Sequence, residues 1–208
     1  MKKLIALLLA VLLLAGAACA EEAVQVTKTA ANMQTVESVT GLVTFDVPSR
    51  WFVMKPGMID ELFELIGDDA LASAGLDEQA IAYAKAAMSQ VDLSQMDMVF
   101  TASMTGNLNL VAQDASGVTM ELIKLLKTAY DQAFISQYAA LGAAEDSIVC
   151  YDIEQIGDLE WYRLDAEVMG SEISQFMTCD DNGHLILFTF TNMAEPDFLP
   201  VLESVKLI

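Results

Sequence analysis

The stretch from Ser147 to Thr191 constrains the fold more than any other part of the chain. Apolar and polar residues alternate along it, and three turn signals divide it: Gly157-Asp158, Met169-Gly170-Ser171 and Asp181-Asn182-Gly183. A period of two suits a half-buried strand and cannot serve an amphipathic helix. Each break is short enough to close only a hairpin, so successive strands run antiparallel. The sequence therefore predicts a four-strand antiparallel meander. Asn182-Gly183 is expected to form a type I′ turn, in which both residues take positive φ.

A regular meander fixes which residues face one another. Counting outward from Gly157-Asp158 sets Cys150 opposite Asp165, Asp152 opposite Arg163 and Glu154 opposite Trp161. The Gly170 corner then sets Asp165 opposite Gln175, four residues before Cys179. Cys150 and Cys179 would lie two strands apart, roughly 10 Å sideways and about 13 Å along the strand. A disulfide needs Cα atoms within roughly 7 Å, so two free thiols are expected. Asp152, Trp161 and Arg163 form a candidate binding pocket, floored by Trp161 and Arg163; the competing reading is a structural cross-strand ion pair.

Upstream, Leu42 to Val47 alternates and stops at Pro48, and Trp51 to Met54 reads as a second short strand ended by Lys55-Pro56-Gly57. Residues 58–91 are helical in pattern, broken at Gly67 and Gly75. Val99–Ser103 and Leu108–Ala112 make a strand pair around Thr105-Gly106-Asn107. Thr119 caps what reads as the longest helix, with Ile123, Leu126, Tyr130, Phe134, Tyr138 and Leu141 on one apolar stripe. Pro196 admits a short last helix through Phe198, Leu199 and Leu202.

The N-terminus carries an address. Met1-Lys2-Lys3 precedes an unbroken apolar run from Leu4 to Ala15 and then small residues, which is the pattern of a secretory signal peptide over residues 1–20. The run is shorter than the roughly 20 residues of a membrane span, and no later segment is long and apolar enough to be one. Ala18-Cys19-Ala20 fits ordinary cleavage after Ala20. Gly16-Ala17-Ala18-Cys19 resembles a bacterial lipobox with Gly16 where Leu is usual, so Cys19 is a candidate lipidation site. Residues 21–40 lack a strong period and read as a flexible leader.

The chain has 208 residues, with 30 Asp+Glu against 10 Lys+Arg and a net charge of −20. Loss of Lys2 and Lys3 with the signal peptide makes the mature charge about −22. Clustered Lys and Arg are what phosphate contact requires, so nucleic acid and bare anionic lipid are disfavoured as partners. Because 54% of the residues are hydrophobic, a disordered acidic tail is excluded as well.

Three fragments resemble the PsbP-like family: Phe45-Asp46-Val47-Pro48 with Trp51, Leu108-Asn109-Leu110-Val111, and Leu202-Glu203-Ser204-Val205. The resemblance covers most of residues 40–208 as a pattern. It implies an α+β fold, a central antiparallel β-sheet flanked by helices on both faces in an α/β/α sandwich. Residues 41–208 would be one PsbP-like domain, with 58–91 as a helical insertion. Family members include an extrinsic photosystem II subunit, a nuclear protein that binds a small GTPase, and bacterial envelope proteins and lipoproteins. Those roles imply docking to other proteins and supply no shared catalytic set.

Chemistry-bearing residues are sparse. His184 is the only histidine and sits at a hairpin tip, with no Gly-x-Ser-x-Gly elbow to work with. One His and two mature Cys cannot close a zinc tetrahedron without carboxylates. Calcium suits the abundant carboxylates, yet Asp180-Asp181-Asn182-Gly183 matches only part of an EF-hand loop and lacks its closing Glu. No cofactor is expected. The sequence thus points to a non-enzymatic extracytoplasmic binding or assembly protein, secreted or cell-surface, that meets a protein or cationic partner through an acidic surface. The alternatives are a carboxylate-dependent hydrolase or transferase acting on envelope material, and a small apolar-ligand carrier.

Overall fold

The computed structural model describes residues 32–54, 96–168 and 170–208. The signal segment, Cys19 and the helical stretch 58–91 lie outside the described residues. What is described is a mixed α+β fold built mostly of strands. Strand β2 (Val43–Pro48) buries Val43, Phe45 and Val47 and turns Thr44 and Asp46 outward, as its alternation requires. It pairs antiparallel with β1 (Met33–Glu37) on one side and β11 (Lys206–Leu207) on the other, making a small three-stranded sheet.

The remaining strands form an eight-stranded sheet in the order β3-β4-β5-β10-β9-β8-β6, with β7 paired to β8 beyond that path. These are β3 (Phe52–Met54), β4 (Met96–Phe100), β5 (Asn107–Asp114), β6 (Val149–Cys150), β7 (Glu154–Ile156), β8 (Leu159–Val168), β9 (Ser171–Cys179) and β10 (His184–Thr191). The expected strand pair is present as β4–β5, except that β4 starts earlier and ends at Phe100, leaving Thr101, Ala102 and Ser103 in the connecting turn, and the meander is present with β6 and β7 as its interrupted first strand.

Two apolar clusters form. One joins Phe45 and Val47 of the small sheet to Leu108, Leu110, Trp161, Phe176, Phe188 and Phe190, and to Phe198, Val201 and Leu202 of helix α3 (Glu195–Glu203). Its rings meet edge-on, as Phe45 does Phe188 at 5.4 Å and Trp161 does Phe188 at 5.7 Å, or stacked, as Phe190 does Phe198 at 4.9 Å. The other cluster joins Tyr162, Leu164, Ala166 and Met177 to Ile123 of α1 (Met120–Leu125) and Tyr138 of α2 (Lys127–Ala140).

Four expectations need correction. The leader read over 21–40 contains β1, in which only Val36 is a buried apolar residue and Gln34 is half-buried with its amide donating to the Trp51 carbonyl, so pairing with β2 rather than hydrophobicity holds it. The single long helix is two, because Leu126 leaves helical geometry (φ −103°, ψ 16°); only Ile123 and Tyr138 of its stripe are fully buried. Thr119 does cap α1, accepting the Leu122 N–H at 3.2 Å. The turn at Asn182-Gly183 is not type I′: only Gly183 takes positive φ (85°), since the Asp180 carboxylate accepts the N–H groups of Asn182 and His184 and builds a longer turn.

The fourth correction is register. Cys150 faces Leu164 and Glu154 faces Trp161, so Tyr151, Asp152 and Ile153 oppose only two residues of β8. This is a bulge of one residue. The β8–β9 register also sets Val168 opposite Ser171, and hence Leu164 rather than Asp165 opposite Gln175. The two one-residue shifts cancel for the cysteines. Cys150 still lies in line with Gln175, two strands across and four residues short of Cys179, and both thiols are free.

Candidate functional site

The bulge between β6 and β7 decides where the polar residues of this edge point. Arg163 stands on β8 opposite Phe176 of β9, on the same side as Trp161 two residues earlier. Trp161 is wholly buried, edge-on to Phe176 at 6.4 Å, and its Nε1–H donates to the Ile156 carbonyl at 3.3 Å. It belongs to the aromatic core and not to a cavity lining. Asp152 is the surplus residue of the bulge. Its side chain is fully exposed and its nearest cation is Lys127 Nζ at 4.0 Å, so it does not face Arg163.

Arg163 itself is only 16% exposed and lies among rings and carboxylates. Its guanidinium is 4.6 Å from the Tyr151 ring centre, 5.4 Å from Phe176 and 5.9 Å from Phe198. Nε and Nη2 donate to the two Asp165 oxygens at 3.2 and 2.9 Å, and Nη1 donates to Glu195 Oε2 at 3.1 Å. Burial pulls the Arg163 pKa down, but Asp165 and then Glu195 outweigh it and hold the group above its ordinary value. Burial, then Asp165, pushes the Tyr151 phenol up, so it stays protonated.

A cavity of about 290 Å3 opens beside this guanidinium. Ile156, Phe176, Phe198 and Leu199 give it apolar walls, and Glu154, Glu195 and Glu203 supply three carboxylates against the one arginine. Glu154 Oε1 lies 4.0 Å from Arg163 Nη1, out of solvent contact and without a hydrogen-bond partner. Gly157 closes one end. Its φ is +60°, and a Cβ there would meet the Glu203 carbonyl oxygen at 2.8 Å, so the β7–β8 turn fits α3 only as glycine. With Arg163 already engaged by two carboxylates, the cavity is acidic and favours a cation over an anion.

Sequence reasoning found Arg163 and missed Asp165, Glu195 and Glu203. Asp165 was legible, since residues i and i+2 of a strand share a face. Glu195 and Glu203 reach the site only because α3 packs on Phe176 and Phe190.

The other chemistry-bearing residues stand apart. His184 is half-buried, with Nδ1 2.6 Å from Asp180 Oδ2. Burial alone would raise the Asp180 pKa, but hydrogen bonds from the His184 ring, the His184 N–H and the Asn182 N–H hold it below the usual carboxylate range. The nearby Ser116 hydroxyl donates to Asp114 at 2.8 Å and not to the imidazole. Burial pushes the Cys150 thiol up and the Cys179 thiol up to about 11, the opposite of an activated nucleophile. Among the described residues, no three His, Cys, Asp or Glu groups converge as a metal site, and no helix is long and apolar enough to cross a membrane.

No family model and no curated protein matches the chain. Several solved structures are similar to it, two of them as follows. The solution structure of a cyanobacterial PsbP from Synechocystis shares 13% identity with a TM-score of 0.46, over 91% of this chain and 99% of that one. A crystal structure of a protein from Bacteroides thetaiotaomicron shares 12% identity with a TM-score of 0.39, over 84% of this chain; the chain spans about half that protein's length, 48%. The first of these bears the name of the family that the sequence fragments resemble.

Proposed function

We propose that this chain is an extracytoplasmic binding or assembly protein without enzymatic activity, an α/β/α sandwich that docks to a basic protein segment through its acidic surface. The signal pattern of residues 1–20 supports export, with release after Ala20 or anchoring through Cys19 as the two routes. The observation that carries the docking reading is the cavity beside Arg163, where Glu154, Glu195 and Glu203 outnumber the one guanidinium. Apolar walls can take the methylene stem of a lysine or arginine while the carboxylates take its head. The carboxylate-enzyme alternative calls for a cleft carboxyl held at a raised pKa. The carboxyl that burial does raise, Asp97 to about 6, accepts the Val39 N–H and does not line the cavity.

The test is the affinity of residues 21–208 for a fluorescent lysine- and arginine-rich peptide, measured by anisotropy at low and high salt, with calcium and with chelator. Glu154→Gln with Glu203→Gln is expected to weaken binding about 5–30-fold, roughly 1–2 kcal/mol, while leaving the fold intact. Peptide binding that the double variant leaves unchanged would remove the cavity from the reading. Absence of salt-dependent binding would overturn docking through the acidic surface.

A further inference from the structure

On β10, Phe188 and Phe190 belong to the aromatic cluster, so Thr189 and Thr191 project from the opposite side of the sheet. The register sets Thr189 between Asn109 of β5 and Gln175 of β9, and sets Thr191 opposite Asn107 of β5. All five side chains are buried, Thr191 completely and Asn109 to 1% exposure. They satisfy one another only in part. Asn109 Nδ2 donates to Asn107 Oδ1 at 3.2 Å, and Gln175 Nε2 donates to Thr189 Oγ1 at 3.1 Å. Those two bonds use the amide nitrogens and fix which end of each amide is left over.

Among the described residues, three oxygens of this row have no partner: Asn109 Oδ1, Gln175 Oε1 and Thr191 Oγ1. A buried acceptor without a donor costs more than a made bond returns, and native structures resolve most such cases with ordered water or a bound group. Three on adjacent strands, on one side of the sheet, are a pattern that packing alone does not explain. Amide oxygens only accept, so whatever satisfies them must donate. No charged side chain stands in the row, so an ion has no counter-charge there. Asn109 and Gln175 are two strands apart, roughly 10 Å, which two or three water-sized groups bridge.

We propose that Asn109, Gln175 and Thr191 form an internal polar site that takes neutral O–H or N–H donors, supplied by ordered water or by a small hydroxyl- or amide-bearing molecule. The site is independent of the acidic cavity and of the docking reading.

Thr191→Val keeps the shape and strand propensity of the side chain and removes only the hydroxyl. With a donor guest in place, the variant melts about 2–5 °C lower than the parent. Two arms identify the guest in the parent protein: water cross-relaxation to the Asn109 and Gln175 side-chain amide protons, and native mass spectrometry of protein purified from its own source. A water signal that weakens in Thr191→Val and Asn109→Leu assigns ordered water; an added mass lost in both variants assigns a retained molecule. An unchanged or raised melting temperature in Thr191→Val overturns the site, because the hydroxyl is then idle. A lowered one without either signature overturns it too, since the chain itself then supplies the donor.

Discussion

The two sides of the eight-stranded sheet are made from the same strands and are stabilised differently. On one side Trp161, Phe176, Phe188, Phe190 and Phe198 contact one another through ring faces and edges. On the other, smaller apolar residues such as Leu164, Ala166 and Ile173 give way along β10 and β5 to Thr189, Thr191, Asn107 and Asn109. Aromatic packing tolerates small displacements because its attraction is spread over many contacts. A buried amide does not, since its bond is lost beyond a few tenths of an ångström. The aromatic side is therefore expected to supply more of the stability, and the mixed side to make more of the geometric demand.

The largest expected effect tests the first half of that statement. Trp161→Ala is expected to cost about 3–5 kcal/mol, against about 2–4 kcal/mol for Ile123→Ala in the opposite cluster, both read from urea unfolding. A greater loss at Ile123 would break the comparison. Next, Gly157→Ala forces a left-handed residue to carry a Cβ 2.8 Å from a backbone oxygen. A loss of about 2–3 kcal/mol is expected, together with weaker binding at the adjacent cavity, checked by unfolding and by peptide anisotropy.

The smallest effect concerns the charge that intrudes on the aromatic side. Asp97 faces Leu110 in the β4–β5 register and is 5% exposed. Burial raises its carboxyl to about 6, with the Val39 N–H acting in the opposite direction. Below the ordinary carboxylate pKa both folded and unfolded chains hold the proton, and Asp97 contributes nothing to pH dependence. As pH rises toward 6 the unfolded chain releases it first, so stability falls, and the deficit is complete above 6. Asp97→Asn keeps an acceptor for Val39 and removes the charge. It is expected to stabilise the fold by about 1–2 kcal/mol at pH 7.5 and by nothing below pH 4, measured as unfolding midpoints across pH. A gain that persists at pH 3.5 would place its origin in packing.

The meander was legible from residues 147–191 because hairpin neighbours are close in sequence and their turns are written in Gly, Asn and Asp. Of the candidate site, Arg163 and Glu154 were read from the meander register and Asp165 was legible from its i+2 position, whereas Glu195 and Glu203 were not. Asp152 was paired with Arg163 on the assumption of an unbroken strand, and a single bulge residue turned Asp152 to solvent and brought Tyr151 onto the guanidinium. The failed Asn182-Gly183 turn has the same origin, since the Asp180 carboxylate competes for the backbone groups that a tighter turn would leave free.

The sequence by itself determined the antiparallel order of β8, β9 and β10, the strand ended by Pro48 and the Thr119 cap. Each follows from side-chain period or from chemistry a few residues long. Only the tertiary structure decided that Glu195 and Glu203 join Arg163 at one cavity, and that Asn109, Gln175 and Thr191 share a buried row with three unsatisfied oxygens. Those meetings depend on strand register and helix docking between segments tens of residues apart. A one-residue change in a bulge or turn moves every side chain to the other face while leaving the alternation of the sequence unchanged.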